Sequence, residues 1–379
     1  MFMWHTSKHA VEVIAKSDER KRGLPSTPRM LSSATSAPTR CHRIGVRGDV
    51  FAATLALIVM MLRFATTCVC ALALYSCSEG QAVNETVPSE RAVHVTRQAE
   101  GYLFEENARS VLFYQLAPKS INGEYERSNY VHPLYGLDGE VLTEDFPEDH
   151  LHHRGVYWAW HQVLIGDVRA GDPWMGKGFS WDLLESDVLA SGDGVRARFH
   201  WKSPDFHAGE EPIIEETTTV RALPSEGDLQ KIDFDIRLVP LHDNIRLGGS
   251  EDDKGYGGFS ARFKILEDLT FVTADGVVSA DRNAVDGGSW MDFSASFRQD
   301  GGKSGVAILV HPSSIGYPQP WIIRALPSKS MQNPLWPGPE PTPVTKGEEI
   351  VLRYRLVLHR GAADAIALTD LWDEYQQVD

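Results

Sequence analysis

From residue 90 onward apolar side chains return at every second position, a spacing that restricts most of the chain to β-strands with one buried face. Val195, Ala197, Phe199 and Trp201 alternate with polar residues, and so do Ile232, Phe234, Ile236 and Leu238. The pattern recurs over 259–265, 291–297 and 350–356. Residues 305–310 (GVAILV) form an unbroken apolar run, the signature of a central strand buried on both faces. SGDG, SEGD, ADG, DGG and QDGG supply the turns. No alternation of strand and helix and no glycine-rich phosphate loop is present, which excludes Rossmann and P-loop enzymes. Ile366, Leu368, Leu371, Trp372 and Tyr375 return at helical spacing and predict one amphipathic helix over 363–377, packed across a sheet. With about ten or more strands and no linker-like break, a single large antiparallel β-sandwich over 90–379 is the economical architecture. A propeller is a minor alternative, because no repeat is visible.

The N-terminal part has a different composition. Of 37 Lys and Arg and 52 Asp and Glu, residues 1–77 hold 10 and 4, leaving the remainder at −21 within a total of −15. All four cysteines (Cys41, Cys68, Cys70, Cys77) lie in this part. Residues 51–75 are apolar except for Arg63 and a few threonines, long enough to span a bilayer. An alternative start at Met60 or Met61 makes a short signal peptide ending in Leu74-Tyr75-Ser76-Cys77, which resembles a lipoprotein cleavage box. Lipidation of Cys77, an uncleaved transmembrane anchor and ordinary cleavage are the alternatives, and each exports the body to a periplasmic or cell-surface face. Residues 1–50 read as a disordered or misassigned extension, and 78–89 as a linker. An acidic exported body repels phosphate, so nucleic acid is not an expected partner.

Five of the 14 histidines (His132, His150, His152, His153, His161) fall within thirty residues, together with Asp149, Arg154, Tyr135, Trp158 and Trp160. Buried polar groups need partners, so this density points to a site. The stretch from Tyr135 to His150 is loop-like, and loops held by a rigid sandwich are where sites are commonly built.

The runs HPLYGLDGEVLTEDFPEDHLHHRG, GYGGFSARF, SWMDFSA, HPSSIGYPQPW and EEIVLRYRLVLHRG resemble the bacterial family of unknown function labelled methane oxygenase PmoA. The resemblance implies a supersandwich similar to the galactose mutarotase-like proteins, and a carbohydrate as substrate class. Methane oxygenase activity itself is not expected, since such a subunit is polytopic and this chain has one hydrophobic segment ahead of a β body.

Three functions follow. A carbohydrate-active epimerase, lyase or hydrolase would pair an imidazole (His152, His153 or His311) with a carboxylate (Asp149 or Asp292) for proton transfer. His132, Tyr135, Arg154, Trp160, His161, Arg262 and Trp290 would bind the substrate, with Trp158, Trp321 and Trp336 as further ring platforms. Alternatively a divalent metal would be held by His150 and His152, which share a face of an extended segment while His153 points away, with a third ligand from His132, His161 or His311. The third is a non-catalytic sugar-binding or structural lipoprotein. Glu215 and Glu216 read as an exposed strand end with a minor acid/base candidacy, Lys254 and Tyr256 as turn residues able to reach the site edge, and 334–343 as a rigid surface loop.

Overall fold

The computed structural model describes residues 92–326 and 329–378. The expectations placed on the leader, on Cys77 and on the linker lie outside the described residues. Among the described residues no helix is long and apolar enough to cross a membrane.

Two large antiparallel sheets make a β-sandwich. The eight-stranded sheet places Val156–Trp160 and Gly257–Ala261 side by side near its middle. The nine-stranded sheet runs from its edge strand Ser180–Val188 through Gly194–Lys202, Ile214–Ala222 and Leu229–Pro240 to Ile350–Arg360, Ser304–Val310 and Trp290–Ala295. The period-two pattern explains the packing. Val195, Ala197, Phe199 and Trp201 are all buried, as are Ile232, Phe234, Ile236 and Leu238. These side chains meet the other sheet directly: the Trp158 and Phe234 rings lie 6.2 Å apart, and Phe259 stacks on Tyr354 at 4.2 Å. Burying such aromatic pairs supplies about 1.5–3 kcal/mol per side chain.

The apolar run 305–310 sits inside Ser304–Val310, buried at every position between two neighbouring strands. Ala307 and Leu309, on its outer face, are covered by the C-terminal helix through Leu368 and Tyr375. That helix is shorter than its periodicity predicts. It spans Leu368–Tyr375, preceded by a 3-10 turn at Ala363–Ala365, and Ala367 offers no side-chain cap.

Three sequence expectations change. Arg262 and Asp292, at polar positions of the alternating runs 259–265 and 291–297, are buried: Trp290–Ala295 is covered on both faces, and Arg262, just past Gly257–Ala261, is enclosed by Glu144, Asp149 and His153. Residues 334–343 are not wholly a surface loop, since Leu335 and Trp336 enter the core and the Trp336 carbonyl accepts a bond from Trp160 Nε1 at 2.9 Å. Glu216 is not at an exposed strand end. It takes the inward phase of Ile214–Ala222, fully buried, and accepts hydrogen bonds from Asn129 Nδ2, Trp158 Nε1, Trp201 Nε1 and Thr218 Oγ1, each at 2.6 Å. Burial raises its pKa against the pull of those four donors.

Candidate functional site

The histidine segment is a turn, not an extended strand. His150 N–H donates to the Pro147 carbonyl at 3.0 Å and His153 N–H to the His150 carbonyl at 2.8 Å. This folds three imidazoles together, correcting the expectation that His153 points away. His150 stacks on His153 with centroids 4.8 Å apart, and His152 meets His153 edge-on at 4.5 Å.

All three line a cavity of about 290 Å³, completed by His161, Trp174, Met175, Ser250, Asp252, Lys254, Tyr256, Arg324 and Met331. His161 follows directly on Val156–Trp160 and stacks on Trp174 at 5.3 Å, while Tyr256 lies against Trp174 at 5.8 Å. Tyr256 precedes Gly257–Ala261, the strand paired with Val156–Trp160, so sheet pairing brings together residues about a hundred positions apart. The 250–256 loop folds back because Gly255 adopts φ +64° against Pro339, and a Cβ at Gly249 would strike the Gly255 carbonyl. A second cavity of about 470 Å³ shares Lys254, Tyr256 and Arg324 with the first and adds Asp281 and Arg282.

Hydrogen bonding fixes the tautomers. An arginine can only donate, so Nδ1 of His153, 3.2 Å from Arg262 Nη1, is the acceptor and the ring proton sits on Nε2. His150 Nδ1 donates to Asp149 at 2.7 Å, and His161 Nδ1 donates to Asp172 at 3.0 Å. Each of these two rings therefore keeps Nε2 as a proton acceptor, oriented by a carboxylate on the other nitrogen. Burial pushes the His152 pKa down to about 3, with the His150, His161 and Arg127 charges adding to the effect. Burial, then His152 and Arg262, holds His153 well below the ordinary histidine value. Asp149 is pushed up by burial, but bonds from His150 and Arg262 outweigh that and keep it ionised.

Arg262 also holds Glu144 at 2.8 Å and Asp149 at 2.7 Å. It faces a separate cavity of about 740 Å³ on the other side of the histidine turn, lined by His132, Glu144, Asp145, Asp149 and Lys264 among others. His132 donates to or accepts from Thr143 Oγ1 at 3.0 Å, and burial lowers its pKa to about 4.

Of the residues singled out from sequence, His150, His152, His153 and His161 are brought together, and Arg262 and Asp149 stand immediately behind them. The others are not. Arg154 is wholly buried, its donors taken by Asp145, the Lys119 and Tyr125 carbonyls and Tyr130, with its guanidinium over Phe146 at 3.6 Å. That arginine braces the base of the histidine turn and, at 0% exposure, is out of reach of a substrate. Trp158, Trp160, Trp290, Trp321 and Trp336 are core residues, each at most 6% exposed, so none is a ring platform. Asp292 pairs inside the nine-stranded sheet with His359 at 2.6 Å, both side chains fully buried. His311 packs against Tyr375 of the C-terminal helix, and neither it nor Tyr135 lines the histidine cavity.

Sequence reasoning missed Trp174, Asp172, Asp252 and Arg324. Trp174 and Asp172 lie on the connection after the Val168–Arg169 strand, and only the depletion of tryptophan from loops could have drawn attention there. Among the described residues no group of three or more His, Cys, Asp or Glu is arranged to hold a metal ion. The carboxylates nearest the imidazoles are already engaged by Arg262 and by the histidines themselves.

No curated protein matches the chain. The PmoA-like resemblance drawn from the sequence runs is corrected by the family comparison, in which no PmoA-like family is found. Residues 104–373 instead match the model described as "Family of unknown function (DUF6807)", and the chain belongs to that family.

Proposed function

We propose that the cleft formed by His150, His152, His153, His161, Tyr256 and Lys254 binds a carbohydrate and carries out general acid–base chemistry on it, in an exported protein tethered through Cys77. The observation that carries this reading is the pair of Asp–His dyads, Asp149–His150 and Asp172–His161, whose rings line one small cavity. A carboxylate on Nδ1 orients an imidazole and stabilises its protonated form, which suits proton abstraction and return at Nε2. His153 supports the site as a fixed Nε2–H donor. Tyr256 and the partly buried His161 ring supply faces for the apolar side of a sugar ring.

The charge pattern narrows the reaction type. Among the described residues one carboxylate, Asp252, lines the cavity, and it is ion-paired with Lys254 at 2.5 Å. Glycoside hydrolysis by two opposed carboxylates has no pair here. Proton transfer at a sugar hydroxyl or carbon, as in ring opening, epimerisation or elimination, needs only the imidazoles. A cavity of about 290 Å³ is at the small end of ligand sites and suits one ring at a time. The sandwich architecture is compatible with the galactose mutarotase-like supersandwich, an analogy at the level of fold alone.

Histidine-resolved NMR during sugar titration tests the reading. Resonances of His150, His152, His153 and His161 are expected to shift together, with His359 and His311 unmoved. Sugar binding that leaves these four unchanged would place the ligand elsewhere and defeat the proposal.

A further inference from the structure

Arg324 stands in the wall shared by the 290 Å³ and 470 Å³ cavities and is only 8% exposed. Its Nε donates to Tyr256 Oη at 3.0 Å, Nη1 to the carbonyls of Asp281 and Ile323, and Nη2 to the Arg282 carbonyl at 2.6 Å. These bonds use four of the five guanidinium N–H groups, and every acceptor is neutral. Among the described residues no carboxylate lies within ion-pair distance of this guanidinium. Arg127, behind Trp174, is in the same situation. Its Nη2 donates to the Pro173 and Trp174 carbonyls, its guanidinium lies over Tyr157 and Trp181, and Asp172 acts on it only at longer range.

Buried guanidinium groups are ordinarily paired with an anion, because removing a full charge from water costs several kcal/mol. The other charges around the cleft do not supply one. Asp252 is held by Lys254, and Asp172 by His161 and, at 3.9 Å, by Arg169. Asp281 is exposed at the rim beside exposed Arg282, its carboxylate receiving the Asn283 N–H. Asp149 and Glu144 are engaged by Arg262 behind the histidine turn. Among the described residues the charged groups lining the smaller cavity are thus Lys254 and Arg324 against Asp252, a net positive wall in a body whose formal charge is −21.

We propose that the ligand of this cleft carries an oxyanion, in the class of a single sugar ring bearing a carboxylate or a sulfate ester, and that Arg324 is its charge partner. This deepens the carbohydrate reading and rests on it. The unused Nη2 hydrogen of Arg324 and the Lys254 ammonium are the donors, Tyr256 is held against Arg324 as the adjoining ring face, and the imidazoles meet the rest of the ring.

Calorimetric titration of the full chain with galacturonate, galactose 6-sulfate and galactose tests it. The two acidic sugars are expected to bind at least about tenfold more tightly than galactose, a difference of about 1.4 kcal/mol. Whichever of the two binds more tightly identifies the oxyanion. In Arg324→Gln the ratio of acidic-sugar to galactose affinity, measured within the variant, should collapse to about one. Because Arg324 also ties down the 281–282 backbone, the salt dependence of the wild type gives a second measure: raising ionic strength should weaken the acidic sugars selectively. Galactose binding as tightly as both acidic sugars, or a preference that survives Arg324→Gln, would overturn the oxyanion assignment and leave the carbohydrate reading standing. Failure of all three sugars to bind would remove the carbohydrate reading and this inference with it.

Discussion

Arg262 donates from Nη1 to Nδ1 of His153 at 3.2 Å, and the same guanidinium holds Asp149, which in turn receives Nδ1–H of His150. One arginine thereby sets two neighbouring imidazoles in opposite tautomers. His153 presents a donor at Nε2 and His150 an acceptor, from rings stacked 4.8 Å apart. Nitrogen-15 NMR of the histidine rings at neutral pH should show His153 protonated on Nε2 and His150 and His161 on Nδ1. In Arg262→Met the His153 assignment should be lost. Finding His153 protonated on Nδ1 in the wild type would break the donor–acceptor scheme.

Stability should depend on pH in a defined window. Burial lowers the pKa of His132 to about 4 and of His152 to about 3, and holds His153 lower than usual. Below about pH 6.5 the unfolded chain takes up protons that the folded chain refuses, so the folded state loses stability as pH falls from there. Each such histidine contributes a slope of at most about 1.4 kcal/mol per pH unit. Asp145 and Asp149, whose pKa values are lowered, add a loss in the same direction at lower pH, as they protonate. Urea midpoints should decline steadily from about pH 6.5 downward, and His152→Asn should flatten the curve. A flat profile from neutral pH down to the carboxylate range would contradict the burial of these rings.

Glu216 bridges the two sheets by accepting the indole N–H groups of Trp158 and Trp201. Glu216→Ala leaves both, and Asn129, without their acceptor, so unfolding free energy should drop by about 3–5 kcal/mol. Glu216→Gln keeps the shape and one acceptor oxygen and should cost less. Urea denaturation followed by tryptophan fluorescence reads both, and a loss below about 1 kcal/mol for the alanine variant would show that the carboxylate is not a structural bridge.

Tethering has its own signature. The full chain is expected in the membrane fraction and to incorporate radiolabelled palmitate, and Cys77→Ala should abolish the labelling. Unchanged labelling in that variant would rule out Cys77 as the lipid site.

The sandwich was legible because alternation is a local signal that burial enforces residue by residue, as in Val195, Ala197, Phe199 and Trp201. The same phase argument places Glu216 inside, two positions after Ile214 and two before Thr218, against the outward preference of its charge. Burial of Asp292 was less accessible, because its partner His359 comes from a strand 67 residues later and no local pattern announces that pairing. The histidine turn announced the site by composition. Its shape did not follow, since an extended segment and a tight turn have the same sequence of residue types. Trp174, Asp172, Tyr256 and Arg324 join the site only through strand pairing and loop return, which a single sequence does not encode locally.

The most direct test of the account is proton NMR of neutral and acidic hexoses incubated in D₂O with the full chain and with its His161→Ala variant. The account predicts that the wild type alters one of them, by faster anomer exchange, by loss of a C–H signal to deuterium or by a new alkene signal. His161→Ala should slow that change at least about a hundredfold, the scale of general acid–base catalysis, while keeping its thermal transition. Sugars that bind in the cleft and emerge unchanged, or a reaction that proceeds equally in His161→Ala, would contradict it.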